Sequence, residues 1–365
     1  MLHVVAADRW TGAAATALQL AESLHEAGID CRFVFRPGRG LETRLAGVAW
    51  CQPLLPKVSG PSDLRRGIAV LRDLVAWSDL VHVHLPQDHL LSRLAGAGRR
   101  APLVRSIHCP GHLRPHPYYR WLLRGTAGVG LANSALAALL PRVPALRDVP
   151  YKVLPISLET RFGPSDKGPA ARARFGVPAD AVLAGTIGKL ERDRGHDLFL
   201  RALSAAHGVW GMVIGKGPYL EKLQQLARDL GIGDRVVWPG YVEDGLEELY
   251  AAMDLFVFPA AGSDWAHRAI AEAAACGVPA LAADLPGVRD LLDPGVTGEL
   301  YPQGDASTLA TLLREWAAYE QRRRTMGAAA ARAAARWTPA ALAAVAVDLY
   351  RQVGAQVHAR LDDRG

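Results

Sequence analysis

Short apolar runs alternate with longer stretches of helical period along most of the chain. In the first half, strands are predicted by the runs LHVVAA, CRFVFR, LVHVHL and PLVRSIH, and helices are predicted over residues 14–27 and 64–77. This alternation is typical of parallel strands that are joined by covering helices. We therefore predict an α/β fold.

The pattern starts again after Pro155 to Pro178, a segment of proline, glycine, serine and charge. The runs VLAGTIG, WGMVIG, RVVWPG, LFVFPA and VPALAA predict a second open sheet of five strands, and helices alone are predicted over 306–357 with a break near Thr338 and Pro339. Two Rossmann-like domains are expected, with a ligand at the carboxyl ends of the strands in the cleft between them. Their predicted ranges are 1–160 and 161–337, followed by a C-terminal helix over 338–365 that could pack back on the first domain.

The composition describes a globular chain of two domains. Its 365 residues are 50% apolar and 21% charged, and no apolar run reaches the roughly 18 to 20 uncharged residues that a membrane span needs. The start MLHVVAADRW lacks the features of a signal peptide, so we expect a cytosolic protein with no cleaved signal. The four cysteines show no metal or disulfide spacing and are expected to be reduced and buried; they are Cys31, Cys51, Cys109 and Cys276.

The positive charge is concentrated in the first half. The whole chain carries a net charge of +6, from 42 Lys and Arg against 36 Asp and Glu; residues 1–160 hold 19 and 11 of these, or +8, which leaves −2 for the rest. This asymmetry favours an anionic partner, such as a phospholipid surface, a phosphorylated acceptor or a nucleic acid. A codon bias toward arginine is the alternative.

Three glycine-bearing loops in the second half each follow a predicted strand and precede a helix. They are Gly185 to Gly195, Gly215 to Pro218, and Ala261 to His267. Free amides at helix starts bind phosphate well, so these loops suit a phosphorylated ligand. The sequence has neither GxxxxGK[ST] nor a GxGxxG followed by an acid about 20 residues later, which disfavours Walker-type hydrolysis and dinucleotide oxidoreduction.

Charged residues add to the phosphate hypothesis. In GKLERDRGHD, the side chains of Lys189 and Arg194 could hold a diphosphate from two sides, although Glu191 and Asp193 could simply pair with them. In GSDWAHRAIAEAAACGVP, the acids Asp264 and Glu272 lie eight residues apart. Carboxylates accept hydrogen bonds from sugar hydroxyls, so these two could recognise the two ends of a nucleotide sugar. For Asp264, a helix N-cap is the alternative.

Nearly the whole chain resembles the GT-B glycosyltransferases of family 4, the retaining "group 1" enzymes. The resemblance is strongest over residues 183–305, in GTIGKLERDRGHDLFLRAL, VIGKGPYLEKL and GSDWAHRAIAEAAACGVPALAADLPGVRDLL. It is looser in the first half, through Thr11 and Gly12, DLVHVHLP and SIHCPGH. It implies two Rossmann-like domains and a nucleotide-sugar donor.

The resemblance assigns roles by position. Lys189 and Arg194 would hold the donor diphosphate, Glu272 the ribose, and Asp264 the donor sugar, which His108 would approach from the first domain. The remaining donor-binding positions are Gly12, Gly188, Gly215, Gly217, Tyr241 and Val242. The histidines His82 and His84 are interpreted as a strand end with one of the two side chains buried.

The chain departs from the family pattern in several places. The family usually has Arg and then Lys where this chain has Lys189 and Arg194, and Glu-Gly-Phe-Gly where it has Asp264 to His267. The double-glycine opening is reduced to Thr11 and Gly12, and Ile156 to Leu158 replaces Asn-Gly-Val. Because of these changes, the resemblance does not determine which sugar the donor carries.

The function predicted from these residues is retaining transfer of a hexose from a nucleotide diphosphate sugar to a hydroxyl of a glycan or lipid-linked acceptor. UDP-sugar is the expected donor, no metal or other cofactor is expected, and lysines and arginines would take the role of a metal. A role in polysaccharide or lipopolysaccharide synthesis and a cytoplasmic location, free or on the inner face of the membrane, would fit. The alternatives are an epimerase or phosphorylase on the same fold and a degenerate domain that binds without transfer; a nucleic-acid module lacks any recognition motif.

Overall fold

A computed structural model describes residues 1–7, 11–38, 41–114, 116–242, 244–259 and 267–362, with side chains to residue 355. The chain forms two compact units. Unit 1 consists of Met1–Ser157 with Trp337–Gly365, and unit 2 consists of Leu158–Arg336. The sequence places these divisions at residues 160 and 337. The α/β prediction is confirmed, because each unit contains a parallel sheet with helices.

Unit 1 is built on a seven-stranded sheet in the order β3-β2-β1-β4-β5-β6-β7, and its strand pairs are parallel. The strands are β1 Leu2–Val5, β2 Arg32–Phe35, β3 Cys51–Gln52, β4 Val81–Val83, β5 Leu103–Ile107, β6 Thr126–Leu131 and β7 Tyr151–Val153. The α-helices before the crossover into unit 2 are α1 Gly12–Glu26, α2 Leu41–Leu45, α3 Pro61–Trp77, α4 Pro86–Leu94 and α5 Pro117–Leu122.

Alternate residues of β1 enter different apolar clusters, as a strand with period two requires. Leu2 and Val4 pack with residues of α3 and α4, whereas Val5 packs with residues of α1. Leu20 and Leu24 of α1 pack in turn against the C-terminal helix, and these contacts place that helix in unit 1.

Unit 2 contains a six-stranded parallel sheet in the order β10-β9-β8-β11-β12-β13. Its strands are β8 Val182–Ile187, β9 Val209–Ile214, β10 Val236–Gly240, β11 Leu255–Phe258, β12 Ala280–Ala283 and β13 Gly298–Tyr301. The helices are α6 Gly168–Arg174, α7 His196–Ser204, α8 Leu220–Asp229, α9 Leu246–Ala252, α10 Arg268–Ala275, α11 Ala306–Ala318 and α12 Glu320–Ala334. Helix α13, Pro339–Asp362, completes unit 1.

The prediction of five strands in the second sheet is wrong, because β13 adds a sixth strand beside β12. Its sequence, GELY, is short and mostly polar, so it carries little apolar signal. The expectation that all four cysteines are buried is also wrong for Cys109, which is partly exposed, whereas Cys31, Cys51 and Cys276 are buried.

The break predicted near Thr338 and Pro339 is present, because α13 begins at Pro339 after α12 has ended at Ala334. Within the described part of the chain, no helix combines the length and the apolar character that a membrane span requires.

Candidate functional site

The candidate donor site of unit 2 lies at the carboxyl edge of its sheet. Strand β8 is flanked by β9 and β11, and the strand order reverses between β8 and β11. Open α/β sheets bind ligands beside such a reversal, outside the carboxyl ends of the strands. The loops after β8 and β11 both start there, and they contain the predicted residues Lys189, Arg194 and Asp264. Asp264 itself lies outside the described residues.

Glycines allow the loops at this edge to pack with their backbones in contact. A Cβ at Gly215 would lie 1.9 Å from the carbonyl oxygen of Gly188, and one at Gly217 would lie 2.2 Å from that of Leu190. Gly195, with φ +74°, comes equally close to the loop after β11, because its Cβ would lie 2.0 Å from the carbonyl oxygen of Pro259. These glycines therefore hold three loops together, and a side chain at any of the three positions would force them apart.

The loop that carries the two predicted phosphate cations is fixed by a histidine. Lys189 is exposed, and Arg194 is half-buried at the end of a short 3-10 helix, Arg192–Arg194. The ring of His196, the first residue of α7, is buried, and its Nε2 lies 3.1 Å from the carbonyl oxygen of Lys189. Burial lowers the pKa of His196 to about 4, so the ring is neutral at physiological pH. No role for His196 was predicted from the sequence, although it directly follows the Lys189 to Gly195 loop.

A cation–π pair lies next to the glycine loop after β9. Tyr241, predicted to flank the nucleotide base, is 51% exposed, and the Lys216 ammonium lies 3.8 Å from its ring centroid. Val242, the other residue predicted there, is half-buried and packs against the core of unit 2. An exposed aromatic ring beside a glycine loop that is predicted to bind phosphate offers a face on which the planar base of a nucleotide can stack.

The carboxylate of Glu272 is buried and oriented by two side chains. The hydroxyl of Tyr250 donates to one oxygen at 2.9 Å, and Nε of Arg268 donates to the other at 2.7 Å. Arg268 also lies 3.7 Å from Glu159. Burial raises the pKa of Glu272, and Arg268 opposes that rise. A carboxylate has about four acceptor sites, so both oxygens can still accept hydroxyl groups of a ligand.

Neither Tyr250 nor Arg268 was predicted from the sequence as a site residue. Arg268 had a signal, because it lies four residues before Glu272 on one helix and shares its face. Tyr250 lies 22 residues away on α9, and only the fold brings it to Glu272.

His267 departs from the family pattern, which has glycine at this position. It adopts the left-handed conformation, with φ 49° and ψ 28°, that glycine tolerates and other residues rarely adopt. Its buried ring is held by the carbonyl oxygen of Pro286, 2.9 Å from Nε2, and by an edge contact with Phe258. The surrounding contacts therefore offset the cost of the strained backbone.

In unit 1, His108 follows β5 at the carboxyl edge of the first sheet and is half-buried. Burial lowers its pKa to about 3, and Arg105 adds to that decrease. The ring of His84 lies 6.3 Å from the ring of His108 between centroids. Gly12 is exposed at the start of α1, where the Thr11 hydroxyl caps the helix by accepting from the Ala14 amide.

The prediction that only one of His82 and His84 is buried is wrong, because both are buried. Residues two apart on a strand face the same side of a sheet, and here that side is covered by Tyr350 of α13. His82 lies 2.8 Å from the Tyr350 hydroxyl and 2.9 Å from that of Ser106, and Nδ1 of His3 lies 3.2 Å from Nε2 of His84.

Among the described residues, His3, His82 and His84 form the cluster with ligand atoms close enough for a metal ion. The rings of His82 and His84 are stacked at 4.5 Å with 19° between their planes. A metal ion binds in the plane of each imidazole, and stacked planes do not share such a point. We therefore interpret this cluster as a neutral hydrogen-bonded core.

Comparison with known proteins agrees with this architecture. The family models for "Glycosyl transferases group 1" and "Glycosyltransferase Family 4" match residues 169–333 and 10–141. The chain is 28% identical to a 2-deoxystreptamine N-acetyl-D-glucosaminyltransferase of Streptomyces fradiae, covering 85% of this chain and 78% of the relative. It is 30% identical to a D-inositol 3-phosphate glycosyltransferase of Xylanimonas cellulosilytica, covering 76% and 72%.

Solved structures show the same fold. HepE of Anabaena in complex with UDP has a TM-score of 0.83 at 20% identity, covering 98% of this chain and 99% of the other. A glycosyltransferase of Rickettsia africae has a TM-score of 0.84 at 14% identity, covering 96% and 98%. The fold is therefore GT-B. The chain belongs to the group 1 glycosyltransferases of family 4, and it is a glycosyltransferase.

Proposed function

We propose that this enzyme transfers a hexose from a nucleotide diphosphate sugar to an acceptor hydroxyl with retention at the anomeric carbon. The observation that carries the proposal is the buried carboxylate of Glu272, which Tyr250 and Arg268 orient while leaving acceptor sites for a ribose. Unit 2 would bind the donor at the carboxyl edge of its sheet. Lys189 and Arg194 would bind the diphosphate, and Tyr241 would stack on the base.

The chemistry follows from where charge develops. As the bond between the anomeric carbon and the diphosphate oxygen breaks, negative charge grows on the leaving diphosphate, and fixed cations stabilise it. The acceptor oxygen forms the new bond on the same face of the sugar, and its proton passes to the leaving diphosphate. Lys189 and Arg194 would take the role of a metal, and unit 1 would contribute His108.

The donor and acceptor classes are supported by the relatives. HepE was crystallised with UDP and with UDP-glucose, which supports a UDP-sugar donor. The two relatives described above are named for cyclitol-type acceptors, which carry hydroxyl groups. A place in polysaccharide or lipopolysaccharide synthesis remains part of the proposal.

The test combines binding, transfer and product stereochemistry. UDP, GDP and ADP sugars are screened by thermal shift, because a ligand that binds the folded state raises its stability. Transfer is then measured in EDTA with Lys189→Ala and Arg194→Ala, and NMR reports the anomeric configuration. We expect activity in EDTA, retention, and a loss of about 100-fold or more in each variant, the scale of removing one transition-state donor. Inversion, dependence on a metal, or full activity in both variants would contradict the proposal.

The same experiments separate the alternatives. An epimerase or phosphorylase would convert or release the sugar without an acceptor hydroxyl. A degenerate binding domain would show no turnover with any donor. A chain that binds none of the three nucleotide sugars would support this last alternative.

We also infer that unit 1 docks on an anionic membrane surface from the cytoplasmic side. The supporting feature is the α5 surface, which we define as the exposed residues Arg99, Arg100, Tyr118, Arg120, Trp121 and Arg124. The Arg93 guanidinium lies 4.7 Å from the ring centroid of Trp121. Arginines next to exposed aromatic rings suit the interface of an anionic bilayer.

A further inference from the structure

The first residues of unit 2 contact both side chains that orient the carboxylate of Glu272. Oε1 of Glu159 lies 3.7 Å from Nη2 of Arg268. The ring of Phe162 meets the ring of Tyr250 edge-on, with the two centroids 6.1 Å apart. A segment outside α9 and α10 therefore supports both hydrogen-bond partners of the candidate ribose ligand.

Ion pairs hold Glu159 in place, although 52% of its side chain is exposed. Its Oε2 accepts from Nε of Arg161 at 2.8 Å, and Nη1 of Arg161 donates to Oε2 of Glu247 on α9 at 3.3 Å. The Arg161 guanidinium also lies 4.8 Å from the ring centroid of Phe162, which is buried in the core of unit 2. An acid in such a chain of charges keeps a more defined position than an acid in an isolated surface pair.

Arg268 divides one edge of its guanidinium between two acids. Nε and Nη2 of an arginine form the edge that can pair with a single carboxylate through two parallel hydrogen bonds. Here Nε donates to Oε1 of Glu272 at 2.7 Å, whereas Nη2 lies beside Glu159. The attraction between Glu159 and Nη2 therefore opposes pairing of both nitrogens with Glu272.

This division leaves Glu272 with the acceptor sites that a ribose needs. The two oxygens of a carboxylate offer about four acceptor sites. Among the described contacts, the Tyr250 hydroxyl uses one of them and Nε of Arg268 uses another. The remaining sites match the two neighbouring hydroxyl groups of a ribose. A second hydrogen bond from Arg268 would take one of these sites, and one hydroxyl group would then lose its acceptor.

We propose that Glu159 is a positioning residue for the donor, which holds the guanidinium of Arg268 so that two acceptor sites of Glu272 remain available to the ribose. The proposal rests on the proposed function, because it concerns how the ribose of the donor is recognised. In this role Glu159 acts through Arg268 and not on the donor. The effect depends on arginine, because only its planar fork can pair two nitrogens with one carboxylate.

Four titratable groups lie beside the carboxylate of Glu272. Tyr250 approaches it from α9, Arg268 and Cys276 lie one turn before and after it, and Glu159 lies behind Arg268. Burial raises the pKa of Cys276 to about 12 and that of Tyr250 well above 10, so both are neutral between pH 5 and 8. Burial also raises the pKa of Glu272; Arg268 opposes that rise and Glu159 adds to it. Removal of Glu159 should therefore lower the pKa of Glu272.

The test measures the affinity of the full chain for UDP by calorimetry from pH 5 to 8. GDP or ADP, which carry the same ribose, replaces UDP if it binds more tightly. Glu159→Ala should weaken binding about tenfold at pH 8, the loss of one hydrogen bond to a charged group. The acid limb of the profile should move to lower pH by about half a unit, because Glu272 becomes a stronger acid. Glu159→Asp keeps the charge and should restore part of the affinity.

Two further measurements isolate the contact with the ribose. The 2′,3′-dideoxy form of the nucleotide has no hydroxyl group to donate to Glu272, so Glu159→Ala should leave its affinity unchanged. Lysine cannot form the parallel pair, so adding Glu159→Ala to an Arg268→Lys chain should cause no further loss of affinity at pH 8. The matched control is Glu320→Ala, which removes the same charge from an exposed pair with Arg324 on α12 and should leave the profile unchanged.

Full affinity of Glu159→Ala at pH 8 would overturn the proposal, as would a loss without the shift to lower pH. The same loss with the dideoxy nucleotide, or in the Arg268→Lys chain, would also overturn it. An equal loss in Glu320→Ala would assign the effect to net charge. A wild-type chain that binds none of UDP, GDP and ADP would overturn the proposed function together with this inference, whereas normal wild-type binding that Glu159→Ala does not change would overturn the role of Glu159 alone.

Discussion

Glu272 shows how one residue of the candidate site depends on its neighbours. Its carboxylate is buried, which favours the protonated form, and Arg268 opposes that effect at 2.7 Å. A ribose hydroxyl can donate to the ionised carboxylate at both oxygens. In the proposed donor complex, Arg268 would therefore set the pH range over which the carboxylate of Glu272 accepts from the ribose.

We expect Arg268→Met to raise the pKa of Glu272 further, because the buried carboxylate loses its cation. Affinity for UDP should fall by about tenfold at the acid end of the pH range and recover as the pH rises, so the midpoint of the binding profile moves upward. Calorimetric titrations with UDP from pH 5 to 8 measure this shift. Arg268→Lys should restore part of the affinity.

Arg289→Met is a matched control, because Arg289 forms an exposed pair with Asp284 at 2.8 Å and should leave the profile unchanged. A loss of affinity in Arg268→Met that is the same at every pH would contradict an electrostatic role for Arg268.

The sequence identified the residues with local signals and missed those that only the fold brings together. Lys189, Arg194, Gly215 and Gly217 follow predicted strands, and their loops lie at the carboxyl edge as expected. Tyr250 reaches Glu272 from another helix, and no spacing along the chain indicates that contact.

At the scale of elements, β6 was missed because its sequence, TAGVGL, is poor in the residues that favour strands. The structure explains its two glycines. A Cβ at Gly128 would lie 2.5 Å from Cγ2 of Val353 on α13, and one at Gly130 would lie 2.7 Å from Cδ1 of Leu154. The strand is therefore glycine-rich because other segments pack directly on its backbone, and such long-range packing leaves no periodic signal in the sequence.

We expect Gly128→Ala to destabilise unit 1 by about 1 to 3 kcal/mol, because the added methyl group overpacks the contact with α13. Val353→Ala alone should also destabilise unit 1, through the cavity it leaves. In the double variant the smaller residue 353 makes room for the new methyl group. Urea unfolding should then show a loss smaller than the sum of the two single losses by about 1 kcal/mol.

Additive losses in this cycle would mean that α13 does not pack on β6 as described. Gly163→Ala is the control for the substitution itself, because a Cβ there would meet nothing within 4 Å.

At the scale of the molecule, the two units differ in how many histidines they bury. His3, His82, His84 and His89 are buried in unit 1, whereas unit 2 buries His196 and His267. Burial lowers the pKa of His3 to about 3 and holds those of His82, His84 and His89 well below 6.5. The folded unit 1 therefore resists protonation more than the unfolded chain does.

The consequence is a loss of stability in acid. Below about pH 6.5 the unfolded chain binds protons that the folded unit excludes, so each such histidine lowers stability by up to about 1.4 kcal/mol per pH unit as the pH falls toward its folded pKa. Calorimetry from pH 7.5 to 4.5 should show the transition of unit 1 moving to lower temperature. His84→Gln should reduce the slope of the free energy of unfolding against pH by the equivalent of about one bound proton. The control His207→Gln, at an exposed residue of unit 2, should not reduce it. Equal slopes in the wild type and both variants would contradict the prediction.

Part of the positive charge in the first half of the chain lies on the α5 surface. Four exposed arginines and two exposed aromatic residues make up the α5 surface, so we expect binding to vesicles that contain phosphatidylglycerol and none to neutral phosphatidylcholine vesicles. Each arginine near an anionic bilayer contributes about 1 kcal/mol, so Arg120→Gln with Arg124→Gln should lower the partition coefficient about 30-fold. Flotation in a density gradient measures this partition coefficient, and 0.5 M salt should abolish binding because it screens the charges.

The matched control is Arg65→Gln with Arg72→Gln, which removes the same charge from exposed residues of α3. Equal losses in both double variants would show that net charge, and not the α5 surface, attracts unit 1 to the membrane.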